Sequence, residues 1–282
     1  MTNHLLSLGH GYSAQALARC LPTPAWQVVG TTRSAREKSV FSAGSETIIW
    51  PGTDLGPALA KATHLLISIA PTAAGDPVLQ HLGDQIAQVA SGLKWVGYLS
   101  TTGVYGDHQG GWVDEDTPLR PSTRRGQWRV RAETAWQAFA AVQGLPLHIF
   151  RLAGIYGPGR GPFAKLRAGT ARRIVKPGQV FSRIHVEDLA QALAASMAHP
   201  IPGAIYNICD DDPAPPEDVI ACAADLLGLP VPPAEPFESA EISPMARSFY
   251  ADSKRVSNAH MKSELGVTLR YPTYEKGLKS LL

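Results

Sequence analysis

With 282 residues, 44% of them hydrophobic and 18% charged, the chain is long enough to bury a full core, and this composition excludes an intrinsically disordered protein. A formal net charge of +2 provides no strong field for a polyanion, so nucleic acid is not an expected partner. The three cysteines, Cys20, Cys209 and Cys222, are too widely spaced to predict a disulfide framework or a zinc site. No stretch has the pattern of a signal peptide or a membrane span, so we expect a cytoplasmic protein with no membrane partner and no metal.

Short apolar runs alternate with longer stretches of helical period over the first half of the chain. The runs predicted as strands are residues 5–8, 26–31, 47–50, 64–70, 95–100 and 147–152. The stretches predicted as helices between them are residues 13–20, 55–61, 77–91 and 123–143. Such alternation is typical of βαβ units on a parallel sheet.

The pattern changes after Arg151. Glycine and proline are dense over residues 154–162, followed by a short helical stretch near Phe163 and a strand-like stretch over 173–181. A helix over 186–197 and a strand over 204–208 indicate a return to the sheet. The proline-rich residues 211–216 and 230–236 are predicted as surface loops around a helix over 217–227.

The first predicted strand leads into a glycine motif. Residues 5–14 read LLSLGHGYSA, a strand followed by Gly-x-Gly-x-x-Ala and then a helix, which is the context that dinucleotide binding requires. Gly9 allows the tight turn, Gly11 lets the backbone approach a pyrophosphate, and Ala14 lets the helix pack on the strand. We therefore predict a cofactor site at Gly9, Gly11, Tyr12 and Ala14, against the simpler alternative of an ordinary glycine turn.

The end of the second strand bears on which cofactor binds. A site for NAD places Asp or Glu about 20 residues after the glycines, whereas this chain reads Thr31-Thr32-Arg33-Ser34. A guanidinium pairs well with a 2′-phosphate, so Thr32, Arg33 and Ser34 favour NADP over NAD. Alternatively, Arg33 is a solvated loop residue that does not contact the cofactor. Asp54 is placed either to border the adenine or to cap the next helix.

Two later segments carry a family resemblance. Residues 99–107 read LSTTGVYGD and residues 149–160 read IFRLAGIYGPGR; with the glycine motif they resemble the extended short-chain dehydrogenase/reductase family, which includes nucleotide-sugar epimerases and dehydratases. The resemblance continues through residues 182–189, SRIHVEDL, and 206–208. It implies an α/β fold with a Rossmann-type doubly wound parallel sheet and a smaller C-terminal substrate lobe. The cofactor domain would comprise residues 1–155 and 182–208, and the lobe residues 156–181 and 209–282.

The catalytic pattern of that family is altered here. The family uses a Ser or Thr, implying Thr101, together with a Tyr-x-x-x-Lys helix followed four residues later by Glu. Aligning that acid with Glu133 places Arg129 in the lysine position and Arg125 in the tyrosine position. No tyrosine lies between Tyr105 and Tyr156, and arginine, with a pKa above about 12, does not donate protons near neutral pH. The sequence therefore resembles the atypical short-chain reductases, a group close to the extended family whose active sites are altered.

Replacement acids are expected at the carboxyl edge of the sheet, where ligands of such folds bind. The candidates are Tyr105, Asp107, His108 and His185. Tyr105 is alternatively a packed residue, His108 a member of an exposed glycine-rich loop, and His185 a residue that caps or packs the helix it precedes. We assign Thr101, Tyr105 and Arg129 to the catalytic region, and Arg125 and His185 to substrate or anion binding.

Arginines 124, 125, 129 and 131 lie beside Trp128, a combination that can also grip nucleic-acid bases. Positions 125 and 129 share one helical face whereas 124 and 131 spread around it, which favours one functional face and an anionic small-molecule substrate. Two functions stay open: an NADP-dependent oxidoreductase or epimerase on a small anionic or sugar-nucleotide-like substrate, and a non-catalytic NADP-binding regulatory or sensor protein. A homodimer is compatible with either.

Overall fold

The centre of the protein is a seven-stranded, fully parallel β-sheet. The computed structural model describes residues 2–34 and 46–282. The seven strands are β1 (Asn3–Leu8), β2 (Trp26–Thr32), β3 (Glu46–Ile49), β4 (His64–Ile67), β5 (Trp95–Thr101), β6 (Leu147–Leu152) and β7 (Ile205–Ile208). Their spatial order is β3-β2-β1-β4-β5-β6-β7, so the order reverses between β1 and β4. Ligands of open α/β sheets bind outside the carboxyl ends of the strands at such a switch point.

Helices cover both faces of the sheet. The ten α-helices of the described residues are α1 (Tyr12–Cys20), α2 (Gly56–Lys61), α3 (Pro77–Val89), α4 (Arg124–Gln143), α5 (Phe163–Arg167), α6 (Val186–Ala198), α7 (Pro216–Leu226), α8 (Pro244–Phe249), α9 (Ala259–Leu265) and α10 (Tyr274–Lys279). On one face Leu17 of α1 and Leu189 of α6 are buried in a single apolar cluster. On the other face Ile86 of α3 and Trp136 of α4 are buried in a second cluster. The α/β, Rossmann-type doubly wound sheet predicted from the sequence is confirmed.

Local capping residues set where two of these helices begin. Asp76 precedes α3, and its Oδ1 accepts hydrogen bonds from the amides of Val78 (2.9 Å) and Leu79 (3.1 Å). Thr123 precedes α4, and its Oγ1 accepts one from the Gly126 amide at 3.1 Å. Gly144 ends α4 in the left-handed conformation with φ +68°. The start of α4 is therefore set by a side chain at the rim of the sheet, which positions Arg125 and Arg129.

Short strand pairs attach the C-terminal segments to the carboxyl edge of the sheet. Gly154–Tyr156 pairs with Arg183–His185, and Trp112–Val113 pairs with Arg255–Val256. A third pair joins Arg173–Val175 to Ala234–Pro236. Through these pairs, segments distant in sequence lie above the ends of β5 and β6.

The C-terminal half departs from the predictions in detail. The strand predicted over 173–181 ends at Val175, because the chain turns there with the Gln179 amide bonded to the Lys176 carbonyl and with Gly178 at φ +75°. Ala234–Pro236, predicted as loop, pairs as a strand. Helices α8, α9 and α10 had no prediction, since each is only six or seven residues long and shows little periodicity.

Candidate functional site

The glycine loop follows β1 at the switch point of the sheet. Gly9 has φ +87°, and a Cβ there would lie 2.8 Å from Ile69 Cγ1, so only glycine fits without strain. The Gly9 amide donates to Thr31 Oγ1 at 2.8 Å, and Ser68 Oγ donates to the Gly9 carbonyl. Thr31 and Ser68 thus hold the turn from the two neighbouring strands. Sequence reasoning assigned neither residue to the glycine turn.

The loop leads into α1 with its first amides available. Gly11 is the N-cap of α1 and provides no side-chain cap, and a Cβ at Gly11 would meet nothing within 4 Å. Gly11, Tyr12 and Ser13 line a large cleft. Ala14 and Leu17 lie on the buried face of the same helix. Uncapped amides at a helix N-terminus, with backbone open to a cleft, form a binding site for a phosphate group. These residues fit the pyrophosphate of a dinucleotide.

Tyr12 connects the glycine loop to the turn after β6. Its hydroxyl donates to the Pro158 carbonyl at 3.0 Å, and the Arg160 guanidinium lies 5.7 Å from the centre of its ring. Gly157 has φ +152°, and a Cβ there would lie 2.6 Å from the Tyr12 hydroxyl. The Gly-Pro-Gly-Arg turn therefore packs on α1 and brings Arg160 to the wall of the cleft.

The residues predicted for the adenosine ribose lie at the carboxyl ends of β2 and β3. Thr32 is the last residue of β2 and is buried, while Arg33 and Ser34 are exposed just beyond it. Asp54 accepts a hydrogen bond from the Gly56 amide at 2.9 Å, a turn immediately before α2. The N-cap of α2 is Leu55, so Asp54 precedes the cap and its contact with the Gly56 amide closes a local turn. None of these four residues lines the large cleft.

The cleft has a volume of about 1290 Å³ and lies above the carboxyl ends of β1, β4, β5 and β6. Among the described residues that line it, one carboxylate, Asp252, stands against six cationic side chains: Arg124, Arg125, Arg129, Arg160, Arg183 and Lys254. A cleft lined by one sign of charge concentrates ligands of the opposite sign. The cleft therefore favours anions, although the whole chain carries a formal charge of only +2.

The residues of the altered catalytic pattern lie on one wall of this cleft. Thr101 ends β5 and its Oγ1 accepts from the Gly103 amide at 3.2 Å. Arg129 Nη1 donates to the Leu99 carbonyl at 2.6 Å and to the Tyr98 hydroxyl at 3.1 Å. Arg125, one helical turn earlier, is exposed and lines the cleft. The structure thus brings Thr101, Arg125 and Arg129 together.

Tyr105 lies away from this wall, in a buried polar network. Its hydroxyl donates to Asn207 Oδ1 at 2.7 Å and accepts from Arg151 Nη1 at 2.9 Å. Arg151 is in turn paired with Glu133 at 3.0 Å, and Ser100 Oγ also donates to Glu133. Burial raises the pKa of Tyr105 to about 12. With 0% of its surface exposed, Tyr105 packs the core, and we remove it from the set of catalytic candidates.

The other candidate acids also have structural contacts. His185 is 1% exposed; its Nδ1 accepts from the Glu187 amide at 3.3 Å, and its ring lies 4.1 Å from that of Tyr271. His185 therefore caps and packs α6, and it does not line the cleft, which argues against its assignment to substrate binding. Asp107 accepts from the Ser253 and Gln109 amides, and His108 Nε2 lies 3.3 Å from the Tyr105 carbonyl oxygen.

Sequence reasoning missed three cations of the cleft. Arg160 and Arg183 lie in segments that carried the family resemblance, and this was a signal that could have identified them. Lys254 follows helix α8 in a stretch without any motif, so no sequence signal marked it. Lys254 is 8% exposed, and its Nζ donates to the Gly106 carbonyl at 2.8 Å.

Two negative findings apply to residues 2–34 and 46–282. They contain no group of three or more His, Cys, Asp and Glu side chains arranged to hold a metal ion. Within the same residues, every helix is too short or too polar to span a bilayer.

Comparisons with known proteins agree with this architecture. A family model described as the NAD dependent epimerase/dehydratase family matches residues 81–209. Protein YeeZ of Escherichia coli K12 is 30% identical over an alignment of 283 positions that spans 94% of this chain and 95% of YeeZ. The solved structure of a conserved protein of unknown function from Silicibacter pomeroyi is 61% identical, covers 99% of this chain and 98% of its own, and superposes with a TM-score of 0.95.

A more distant structure shares the fold. UDP-glucuronic acid 4-epimerase from Bacillus cereus, solved with UDP-glucuronic acid and NAD, is 18% identical, covers 99% of this chain and 97% of its own, and has a TM-score of 0.78. The full-length similarity to YeeZ, the matching family model and the shared fold lead to one conclusion. The chain belongs to the NAD-dependent epimerase/dehydratase family and has the short-chain dehydrogenase/reductase fold.

Proposed function

We propose that this protein is an NADP(H)-dependent oxidoreductase or epimerase that acts on an anionic small molecule. The observation that carries the proposal is the single cleft in which the glycine loop, Thr101 and six cationic side chains meet. At about 1290 Å³ it exceeds the roughly 300 to 1,000 Å³ typical of a pocket for one small molecule, which supports a cofactor and a substrate side by side.

The chain's own residues suggest how the reaction is organised. The amides of Tyr12 and Ser13 would hold the pyrophosphate, and the bound nicotinamide would supply or accept the hydride. The Thr101 hydroxyl would orient the reacting oxygen of the substrate. Arg129, held by the Leu99 carbonyl, would take the ribose-binding position of the family lysine, and Arg125 would bind an anionic group of the substrate.

The preference for NADP depends on Arg33. A charge-assisted contact to the 2′-phosphate contributes about 1.5 to 3 kcal/mol, which corresponds to roughly 10- to 150-fold in affinity. Fluorescence titration with NADPH and NADH tests this, because Arg33→Ala should lose the preference for NADPH. Arg131→Ala is the control, since Arg131 is exposed on α4 and does not line the cleft. Equal affinities of the wild type for the two cofactors, or a preference that survives in Arg33→Ala, would exclude Arg33 from this role.

The substrate class follows from charge and from the neighbours. Arg124 and Arg125 lie along one wall and would bind carboxylate or phosphate groups of the substrate. The Bacillus cereus epimerase binds UDP-glucuronic acid, so a sugar-nucleotide-like substrate is one member of this class. A panel of sugar nucleotides and smaller carboxylated ketones, assayed for NADPH oxidation and for epimer formation, distinguishes these two kinds of substrate and the two reactions.

A second function is favoured by one observation: arginine occupies the position of the family tyrosine at residue 125. On this hypothesis the protein binds NADP without catalysing a reaction, and cofactor binding changes a surface to which a partner binds. Tight NADPH binding combined with no turnover across the panel would favour this second function.

The division into domains is also a proposal. Residues 1–155 and 182–208 would form the cofactor domain, supported by the membership of β6 and β7 in the central sheet. Residues 156–181 and 209–282 would form the substrate lobe, supported by an apolar cluster of its own that includes Phe163, Ala223 and Leu278. A cytoplasmic location and a homodimer stay predictions.

A further inference from the structure

Proton transfer in this cleft lacks the family tyrosine, so another group must move the proton. Arginine does not titrate near neutral pH. Two tyrosines of the cleft are poor proton donors: the Tyr12 hydroxyl donates to the Pro158 carbonyl, and the Tyr156 hydroxyl lies beside Gly277 of α10, where burial raises its pKa. A third, Tyr274, has its pKa raised to about 12 by burial, which makes it a poor acid. Lys254 is the remaining candidate cation.

The position of Lys254 is set from two sides. Its Nζ donates to the Gly106 carbonyl at 2.8 Å, and the neighbouring Ser253 amide donates to Asp107 at 2.8 Å, in the turn that follows Thr101. Ser122, just before helix α4, donates through its hydroxyl to Asp252. Residues 252–254 therefore contact both the chain after β5 and the chain before Arg125. Lys254 and Arg125, which occupies the tyrosine position in the first turn of α4, both line the cleft.

The surroundings of the amine favour loss of its proton. Lys254 is 8% exposed, and burial is the main cause that lowers the pKa of its ammonium group. Two carboxylates act in the opposite direction, Asp252 with its Oδ2 at 3.4 Å and Asp107 next to Ser253. A buried lysine whose pKa is lowered gives up its proton near neutral pH more readily than an exposed lysine does.

We propose that Lys254 is the group that exchanges a proton with the substrate oxygen, in place of the family tyrosine. This inference rests on the proposed function. In carbonyl reduction the dihydronicotinamide supplies a hydride to the carbonyl carbon. The Lys254 ammonium gives one proton to the carbonyl oxygen, which becomes a hydroxyl, and the neutral amine regains a proton from water. In the reverse direction the neutral amine accepts the hydroxyl proton.

Labelling with pyridoxal 5′-phosphate, an anionic aldehyde, tests the proposal without a known substrate. A neutral amine within reach of the aldehyde carbon forms an imine that borohydride traps, and mass spectrometry identifies the lysine. We expect Lys254 to label first and with a pH midpoint below the ordinary lysine value of about 10.4. NADP⁺ should reduce labelling of Lys254 several-fold. The internal control is Lys262, whose side chain is 37% exposed and paired with Asp211.

The outcomes separate this inference from the proposed function. A labelling midpoint for Lys254 equal to or above that of Lys262 would overturn the role of Lys254. So would undiminished labelling at NADP⁺ concentrations that fluorescence titration shows to be saturating. If instead NADP⁺ and NADPH do not bind at all while Lys254 labels with a low midpoint, the proposed cofactor is wrong and the reactive amine stands. Lys254→Arg keeps a donor for the Gly106 carbonyl, and its melting temperature reports whether the loop contact alone maintains the fold.

Discussion

The buried ion pair between Arg151 and Glu133 provides the sharpest test of what holds α4, which carries one wall of the cleft, against β6. Arg151 lies on β6 and Glu133 on α4, with side chains 4% and 2% exposed and a shortest N to O distance of 3.0 Å. Glu133→Gln keeps the shape of the side chain and removes its charge. Arg151 then stays buried without a counter-charge, so we expect the variant to be destabilised.

The size of the effect follows from burial. Breaking a buried pair by removing one partner costs about 3 to 5 kcal/mol, whereas an exposed pair contributes about 0 to 1 kcal/mol. Because the Gln oxygen still accepts hydrogen bonds from Ser100 and Arg151, we expect the lower end, about 3 kcal/mol. The matched control is Asp211→Asn, the same acid-to-amide change in the exposed pair with Lys262, for which at most about 1 kcal/mol is expected.

Urea unfolding followed by tryptophan fluorescence measures both changes in the free energy of unfolding. Adding Arg151→Met to Glu133→Gln removes the unpaired guanidinium, so the double variant should lose less stability than the sum of the two single variants. If Glu133→Gln were no more destabilising than Asp211→Asn, the buried charge would not be what holds α4 against β6.

Three further predictions concern the glycine loop, pH and the altered helix. Gly9→Ala should lower both stability and NADPH affinity, because Gly9 has a positive φ and its Cβ would collide with Ile69. Gly11→Ala should lower only NADPH affinity, because its Cβ would enter the open cleft. Thermal melting and NADPH titration measure the two effects, and equal losses of melting temperature in the two variants would contradict the prediction. Burial lowers the pKa of His148 to about 4, so the unfolded chain binds a proton at this residue before the folded chain does as the pH falls. Between about pH 7 and about pH 5 the wild type should therefore lose about 2 kcal/mol more stability than His148→Leu. Urea unfolding across this pH range measures the difference, and parallel stability profiles for the two proteins would refute the assignment. Arg125→Tyr combined with Arg129→Lys should gain NADPH-dependent reduction of ketones relative to the wild type, measured by NADPH absorbance, and no gain in a folded, NADPH-binding variant would show that the wall has lost the family geometry.

Regular, strongly patterned elements could be predicted from the sequence alone. Strand β6 occurs with the predicted bounds, and α4 begins one residue after its predicted start because Thr123 is its cap. The glycine motif was identified from the strand before it and the helix after it, and Gly9 has the positive φ that the motif requires. These features depend on neighbours within a few residues, which is why local pattern suffices for them.

The identities of the cleft residues depended on contacts that sequence distance conceals. Tyr105 and His185 fall in motifs at the correct edge of the sheet, yet Tyr105 turns inward to Asn207, 102 positions away, and His185 caps its own helix. Whether a side chain faces a cleft or the core is decided by the elements packed around it, and the local sequence pattern does not show which elements those are.

The sequence by itself determined the parallel α/β sheet and the glycine turn, because both follow from patterns of neighbouring residues, whereas the alteration of the catalytic pattern on α4 was inferred from the family resemblance. Only the tertiary structure decided that Lys254 joins Thr101 and Arg129 in one cleft, since 153 positions separate Thr101 from Lys254 along the chain. Chain folding brings Lys254 to the carbonyl of Gly106, where burial and the carboxylates of Asp252 and Asp107 act on its ammonium group in opposite directions. That environment exists only after the C-terminal segments have packed above the sheet.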